Sequence, residues 1–139
     1  MTTDRVRDAM VADPPLLEGG ASAQEAGEAL ARPEVRALFV CENGRLLGVV
    51  TRKTLVREVV AAGLDPRSTV LRGIVEQPHH TIGSDVPLDK AFRFLEEQDL
   101  ERVPVVENGR LVGVLSRAVL QRRLAEDEPP ADGEDQQQV

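Results

Sequence analysis

Two short turns carry the side chains best suited to hold an anion or a hydroxyl-bearing ligand. One is Thr51, Arg52, Lys53 and Thr54, and the other is Ser116 and Arg117. A hydroxyl at a helix start accepts from the exposed amides, and an adjacent guanidinium adds positive charge. Each turn therefore reads either as an ordinary capped helix or as an anion site. His79 and His80 are neighbours. On an extended segment they point to opposite faces, and no second set of His or Cys ligands exists to complete a metal site. Cys41 sits in an apolar run and reads as a small buried hydrophobe, not a nucleophile. Glu96, Glu97, Asp99 and Glu101 follow an apolar helical stripe and read as its wet face and exit turn. Arg57, Arg122 and Arg123 either meet acids of a partner chain or are solvated. No acid–base triad is visible, so we expect no catalytic residue, no bound metal and no enzyme activity.

The composition narrows the ligand classes. With three Phe, no Trp and no Tyr, the 139-residue chain has no aromatic platform for single-stranded nucleic acid, and its core must be aliphatic. The net charge of −7 comes from six acids in residues 126–139; the remaining 18 acids face 17 bases. That near balance argues against a nucleic-acid face or a polybasic membrane patch. Residues 126–139, acidic with Pro129, Pro130 and three glutamines, read as a disordered tail. The single cysteine, and the lack of a signal-peptide pattern or an apolar run of about 18 residues, make a reducing cytoplasm the expected location.

The elements that must position these turns come in two copies. ENGRLLGVVTR at 42–52 recurs as ENGRLVGVLSR at 107–117, identical at eight of eleven positions and offset by 65. The same offset pairs Ala26 with Ala91, Leu30 with Leu95 and Val40 with Val105. Each copy is too small to be comfortable alone, so two copies are expected to share apolar surface. Leu88, Ala91, Phe92 and Leu95 fall at helical spacing, and Ser22 with Glu25 forms a capping box before the thinner first-copy helix. Apolar runs reach Asn43-Gly44 and Asn108-Gly109, the sequence signal of two-residue hairpin turns. Thr51 and Ser116 then cap second helices, while Leu16-Leu17 and Thr81-Ile82 read as extra strands. Gly48 and Gly113, inside strands, mark close backbone approach or a bulge. We expect repeats at 1–63 and 71–125, joined by a linker at 64–70.

VPVVENGRLVGVLS at 103–116, its counterpart LFVCENGRLLGVVT at 38–51, and VRDAM at 6–10 resemble the CBS domain family, in which two repeats form a pair called a Bateman module. The resemblance covers about residues 6–124. It implies an α/β (α+β) fold of two tandem β-α-β-β-α repeats about a pseudo-twofold axis, with two clefts and frequent homodimers. It also implies clefts that hold adenosine compounds: AMP, ADP, ATP or S-adenosylmethionine, with no required cofactor. Leu16, Leu17 and Phe39, or their counterparts Thr81, Ile82 and Pro104, are placed near a base, with His80 bordering that pocket. In the family an Asp three residues after the capping Ser or Thr binds the ribose hydroxyls; Thr54 and Val119 stand there in this chain. The expected function is a stand-alone regulatory module that binds such a ligand and signals to a partner protein. The alternative is a structural dimerisation module that has lost nucleotide binding. A phosphorylated ligand is expected against Thr51, Arg52, Lys53 and Thr54, the better equipped turn.

Overall fold

The computed structural model describes residues 4–127. The first copy runs β2 (Leu16–Glu18), α2 (Ala23–Leu30), β3 (Leu38–Glu42), β4 (Arg45–Val50) and α3 (Arg52–Leu55), the last continuing as a π-helical turn at Val56–Val60. In the second copy the leading strand shrinks to one parallel bridge, Ile82 with Val105. It continues with α4 (Leu88–Glu97), β5 (Arg102–Glu107), β6 (Arg110–Ser116) and α5 (Arg117–Asp127). The β-α-β-β-α order is thus present twice. The tail expected from residue 126 lies outside the described residues, except that Glu126 and Asp127 end α5.

Local chemistry fixes these elements. Asn43 and Gly44 have φ of 53° and 83°, and Asn108 and Gly109 repeat them at 53° and 82°. Positive φ at both central residues is the hairpin turn whose twist matches the flanking strands. Ser22 and Glu25 make the capping box reciprocally, Glu25 N–H donating to Ser22 Oγ at 3.1 Å. Along β3, Leu38 and Val40 face a core shared with Ala26, Leu30, Val50 and Leu71. Along β5, Val103 and Val105 face a second core with Leu88, Ala91, Leu95, Leu115 and Leu120.

The segment that leads into each copy completes the other copy. The short helix α1 (Val6–Ala9) packs Val6 and Ala9 into the second core, and β1 (Val11–Ala12) pairs with β6, Val11 opposite Val114. Sixty-five residues later the 3-10 helix Leu71–Gly73 buries Leu71 in the first core, and Glu76 pairs with Val49 of β4. Backbone bonds repeat the relation: Val6 N–H to Val86 O and Arg7 N–H to Ser84 O match Leu71 N–H to Ala21 O and Arg72 N–H to Gly19 O. The hairpin tips also meet, Leu46 N–H donating to Gly109 O and Leu111 N–H to Gly44 O, both at 3.1 Å. These reciprocal contacts define the pseudo-twofold axis. The strands form one sheet in the order β1-β6-β4-β3-β2, with β5 also on β6.

Gly48 and Gly113 are where the exchanged segments cross the hairpins. A Cβ on Gly48 would lie 2.5 Å from the Glu76 carbonyl oxygen, and one on Gly113 would lie 2.9 Å from that of Val11. Backbone on backbone cannot yield cheaply. Gly48→Ala is expected to destabilise the protein by about 1–3 kcal/mol. Gly73→Ala, where a Cβ meets open space, should stay within about 1 kcal/mol of the native protein. Urea denaturation measures both, and equal effects would mean that the crossing segment shifts freely.

Ion pairs anchor the same segments. Arg72 forks onto Glu42, with Nη2 to Oε2 at 3.0 Å, and Arg7 pairs with Asp85. The Arg72 hydrogen bond holds the Glu42 carboxyl below the usual carboxylate range, and Arg7 does the same for Asp85. The ionised forms are favoured by folding, so their contribution is present above the ordinary carboxylate pKa and is lost as pH falls through the lowered values. The denaturation midpoint is expected to drop below about pH 4. In Glu42→Gln with Asp85→Asn it should start lower at neutral pH and fall less steeply with acid.

Candidate functional site

The inner faces of the two hairpins build a cleft on the axis. Because side chains alternate along a strand, Phe39 and Val49, paired across β3 and β4, turn away from the first core. Pro104 and Val114, paired across β5 and β6, turn away from the second. These four residues line one cleft of about 550 Å³. Its remaining apolar lining includes Pro14, Pro15, Val35, Pro78 and Leu100, and its polar lining is Glu34, Arg36, His79, His80 and Arg102. The lining pairs by the repeat offset: Phe39 with Pro104, Val49 with Val114, Val35 with Leu100, Pro15 with His80. Both copies thus contribute equivalent positions, as an apolar floor between charged rims.

Of the residues singled out from the sequence, Phe39, His79, His80 and Pro104 come together in this cleft; the other candidate ligand residues do not line it. Leu16 is exposed on the sheet edge, Leu17 packs on the first core, Thr81 is exposed, and Ile82 is buried in the second core. Ser116 caps α5, accepting from Val119 N–H at 3.3 Å, and Arg117 pairs with Glu101 at 3.0 Å. Arg52 donates to the Arg32 carbonyl at 2.8 Å, and Lys53 is exposed. His79 and His80 both line the cleft, although adjacent strand residues would face apart. They lie outside any strand, and the His80 ring stands edge-on to Phe94 with centroids 5.5 Å apart. Among the described residues no three His, Cys, Asp or Glu side chains come together as a metal site. Cys41 is buried, and desolvation pushes its thiol up.

Thr51 and Thr54 turn their hydroxyls inward. Thr54 is fully buried, its Oγ1 accepts from Thr51 N–H at 3.0 Å, and Thr54 N–H donates back to Thr51 Oγ1 at 3.3 Å. Thr54 Oγ1 also donates to Glu76 Oε2 at 2.5 Å, and Arg57 donates to the same oxygen at 3.3 Å. The Thr54 hydrogen bond, then the Arg57 and Lys53 charges, keep the Glu76 carboxyl below the usual range against the opposing effect of burial. Arg57 thus finds an acid within its own chain. Sequence reasoning missed Glu76 because its interest lies in the segment exchange; the available signal was the offset that aligns it with Val11, facing Val114.

Similarity to known proteins agrees with this architecture. The model of the CBS domain matches residues 6–61 and again 71–126. Hypoxic response protein 1 of Mycobacterium tuberculosis is 30% identical over 94 residues, covering 67% of this chain and 66% of that protein. The chain spans less than two thirds of the length of the first curated relatives it matches, 41% and 66%. A crystal structure of Hypoxic Response Protein I with two coordinated zinc ions superposes with TM-score 0.73 at 27% identity, over 88% of this chain and 99% of that one. A crystal structure of CBSX2 in complex with AMP superposes with TM-score 0.70 at 23% identity, over 88% and 97%. Two hairpins that each exchange a leading segment, matched twice in register by one family model, settle the question of kinship: the chain belongs to the CBS domain family.

Proposed function

We propose that this CBS pair is a non-catalytic regulatory module that binds one small adenosine-type ligand in the axial cleft and conveys its presence to a partner protein. The observation that carries the reading is the cleft itself. Its volume of about 550 Å³ is of the size that encloses a small organic ligand. Its floor of Phe39, Val49, Pro104 and Val114 suits the two faces of a flat base, and Arg36, Arg102 and the histidines suit polar or anionic substituents. CBSX2, which shares the fold, is seen in complex with AMP. Because both copies line the cleft, a ligand there touches both hairpins at once and biases their relative position.

A thermal-shift panel of AMP, ADP, ATP and S-adenosylmethionine tests the reading. A ligand at 100 times its Kd should add about 2.7 kcal/mol to the folded state and raise the melting temperature. Arg102→Ala, at the rim, should reduce the shift. No shift with any of the four would overturn ligand binding and leave the interaction module as the function.

A second feature supports self-association, which stays a proposal. Ala23, Gly27, Ala31, Leu55 and Val59 line an apolar groove between α2 and the second helix of the first copy. Val56, Val60 and Leu64 are exposed in the same region. A twofold pairing of chains would cover such a surface on both at once. Light scattering is expected to give twice the chain mass, and Val60→Glu to return it to the single-chain value; a concentration-independent single-chain mass in the native protein would rule the pairing out.

A further inference from the structure

The axial cleft is alike in the two halves of its floor and unequal in its walls. The offset of 65 that matches Phe39 with Pro104 also matches Pro14 with His79, Pro15 with His80 and Ala37 with Arg102, and all of these line the cleft. At each of the three wall positions the second copy carries an imidazole or a guanidinium where the first carries an apolar group. The first copy's wall contributes Glu34 and Arg36 instead, an acid and a base whose charges offset. Their counterparts Asp99 and Glu101 do not line the cleft, and Arg117 holds them at 3.8 and 3.0 Å. The second copy's wall is thus lined only by groups that are neutral or positive.

A backbone difference presents both imidazoles to the cleft. In the first copy Phe39 N–H donates to Pro15 O at 3.3 Å, and Leu16–Glu18 follows as a strand on β3. Pro104 stands at the Phe39 position and has no N–H, so the equivalent bond to His80 O cannot form and the strand shrinks to the Ile82 bridge. Outside strand geometry the two neighbouring side chains share one cleft. His80 sets its ring against Phe94 of α4, an uncharged neighbour, and His79 is exposed. Arg102 makes no ion pair among the described residues, so its charge is not neutralised from within the chain.

We propose that His79, His80 and Arg102 form a proton-dependent anion subsite. The imidazoles gain charge as pH falls from about 8 to about 6 and join the permanent charge of Arg102 on the anionic end of the ligand, so the module binds that ligand more tightly at lower pH. This rests on the adenosine-type reading above and adds the orientation of the ligand and a control on its affinity. The charged groups facing the histidines are Arg102 on β5 and, across the cleft, Glu34 and Arg36; α4 faces His80 with Phe94. Those three charges leave the lining at +1 with both imidazoles neutral and +3 with both charged. A bound anion and a bound proton attract, and by reciprocity each raises the affinity for the other. The apolar wall of Pro14, Pro15 and Ala37 takes the uncharged end of the ligand. The assignment replaces the expectation of a phosphate against the 51–54 turn, where the Thr hydroxyls are engaged by one another and by Glu76, whose negative charge lies beside them.

The test is calorimetric titration of the full chain with AMP at about pH 6 and about pH 8, in the native protein and in His79→Gln with His80→Gln, and of the native protein with uncharged adenosine. The AMP phosphate itself titrates over this range, equally for both proteins, so the quantity compared is the ratio of AMP affinities at the two pH values. That ratio is expected to be about tenfold larger in the native protein than in the double variant, the scale of one hydrogen bond to a charged group. Adenosine should bind the native protein about equally at both pH values. Each ratio is internal to one protein, so a general weakening in the variant cancels, and circular dichroism checks that the variant is folded. An equal AMP ratio in the two proteins, or an adenosine affinity that rises with acid as much as that of AMP, overturns the subsite while adenosine-type binding stands. If neither compound binds at either pH, the adenosine reading fails and the subsite falls with it.

Discussion

The backbone hydrogen bonds that tie Glu76 to Val49, and the counterpart pairing of Val11 with Val114, are the constraint on which the rest of the molecule hangs. Neither copy owns a complete core. Val6 and Ala9 close the core built by residues 82–120, and Leu71 and Ile74 close the one built by residues 23–59. Because each lead-in segment must cross a hairpin at backbone contact distance, a residue without a side chain is needed at the crossing, and Gly48 and Gly113 supply it. The crossing also fixes the separation of the hairpins, and with it the width of the cleft between Phe39 and Pro104.

Much of this was legible because the signals are local. The Asn-Gly pairs dictate the turns through their backbone preference, the Ser22 box starts α2, and the apolar spacing of Leu88, Ala91 and Leu95 gives α4. The glycines inside β4 and β6 announced close approach without naming what approaches. The exchange itself left no local trace: a four-residue helix such as Val6–Ala9 has too little periodicity to say which core it serves. The 51–54 turn was read as open chemistry because Thr and Lys are polar by type, whereas burial of Thr54 and its bond to Glu76 depend on a segment 22 residues away. Alternation along an extended segment predicts opposite faces for the histidine pair, but the two lie outside any strand and both line the same cleft.

The copies have diverged where the axis does not force them to agree. Gly27 stands where the second copy has Phe92, which packs against its own core, and the first copy keeps a groove instead. The π-helical turn at Val56–Val60 is likewise confined to the first copy; α5 stays regular through the equivalent region. At the hairpin tips, where Arg45 and Arg110 each donate to the opposite turn's Asn carbonyl, the two copies are the same. Positions that touch across the axis are held to one solution by each other, while the outer layers are free to differ.

The reciprocal lead-in segments have a consequence for how such a chain can be assembled. A polypeptide holding a single copy could satisfy the same crossing only by lending its leading segment to a second polypeptide and borrowing that one's in return. Carrying both copies on one chain makes this trade internal, at an effective concentration on the order of millimolar in place of a cellular one. Cutting the joint would leave the trade in place, because the clasp lies in the crossing strands and not in the connection.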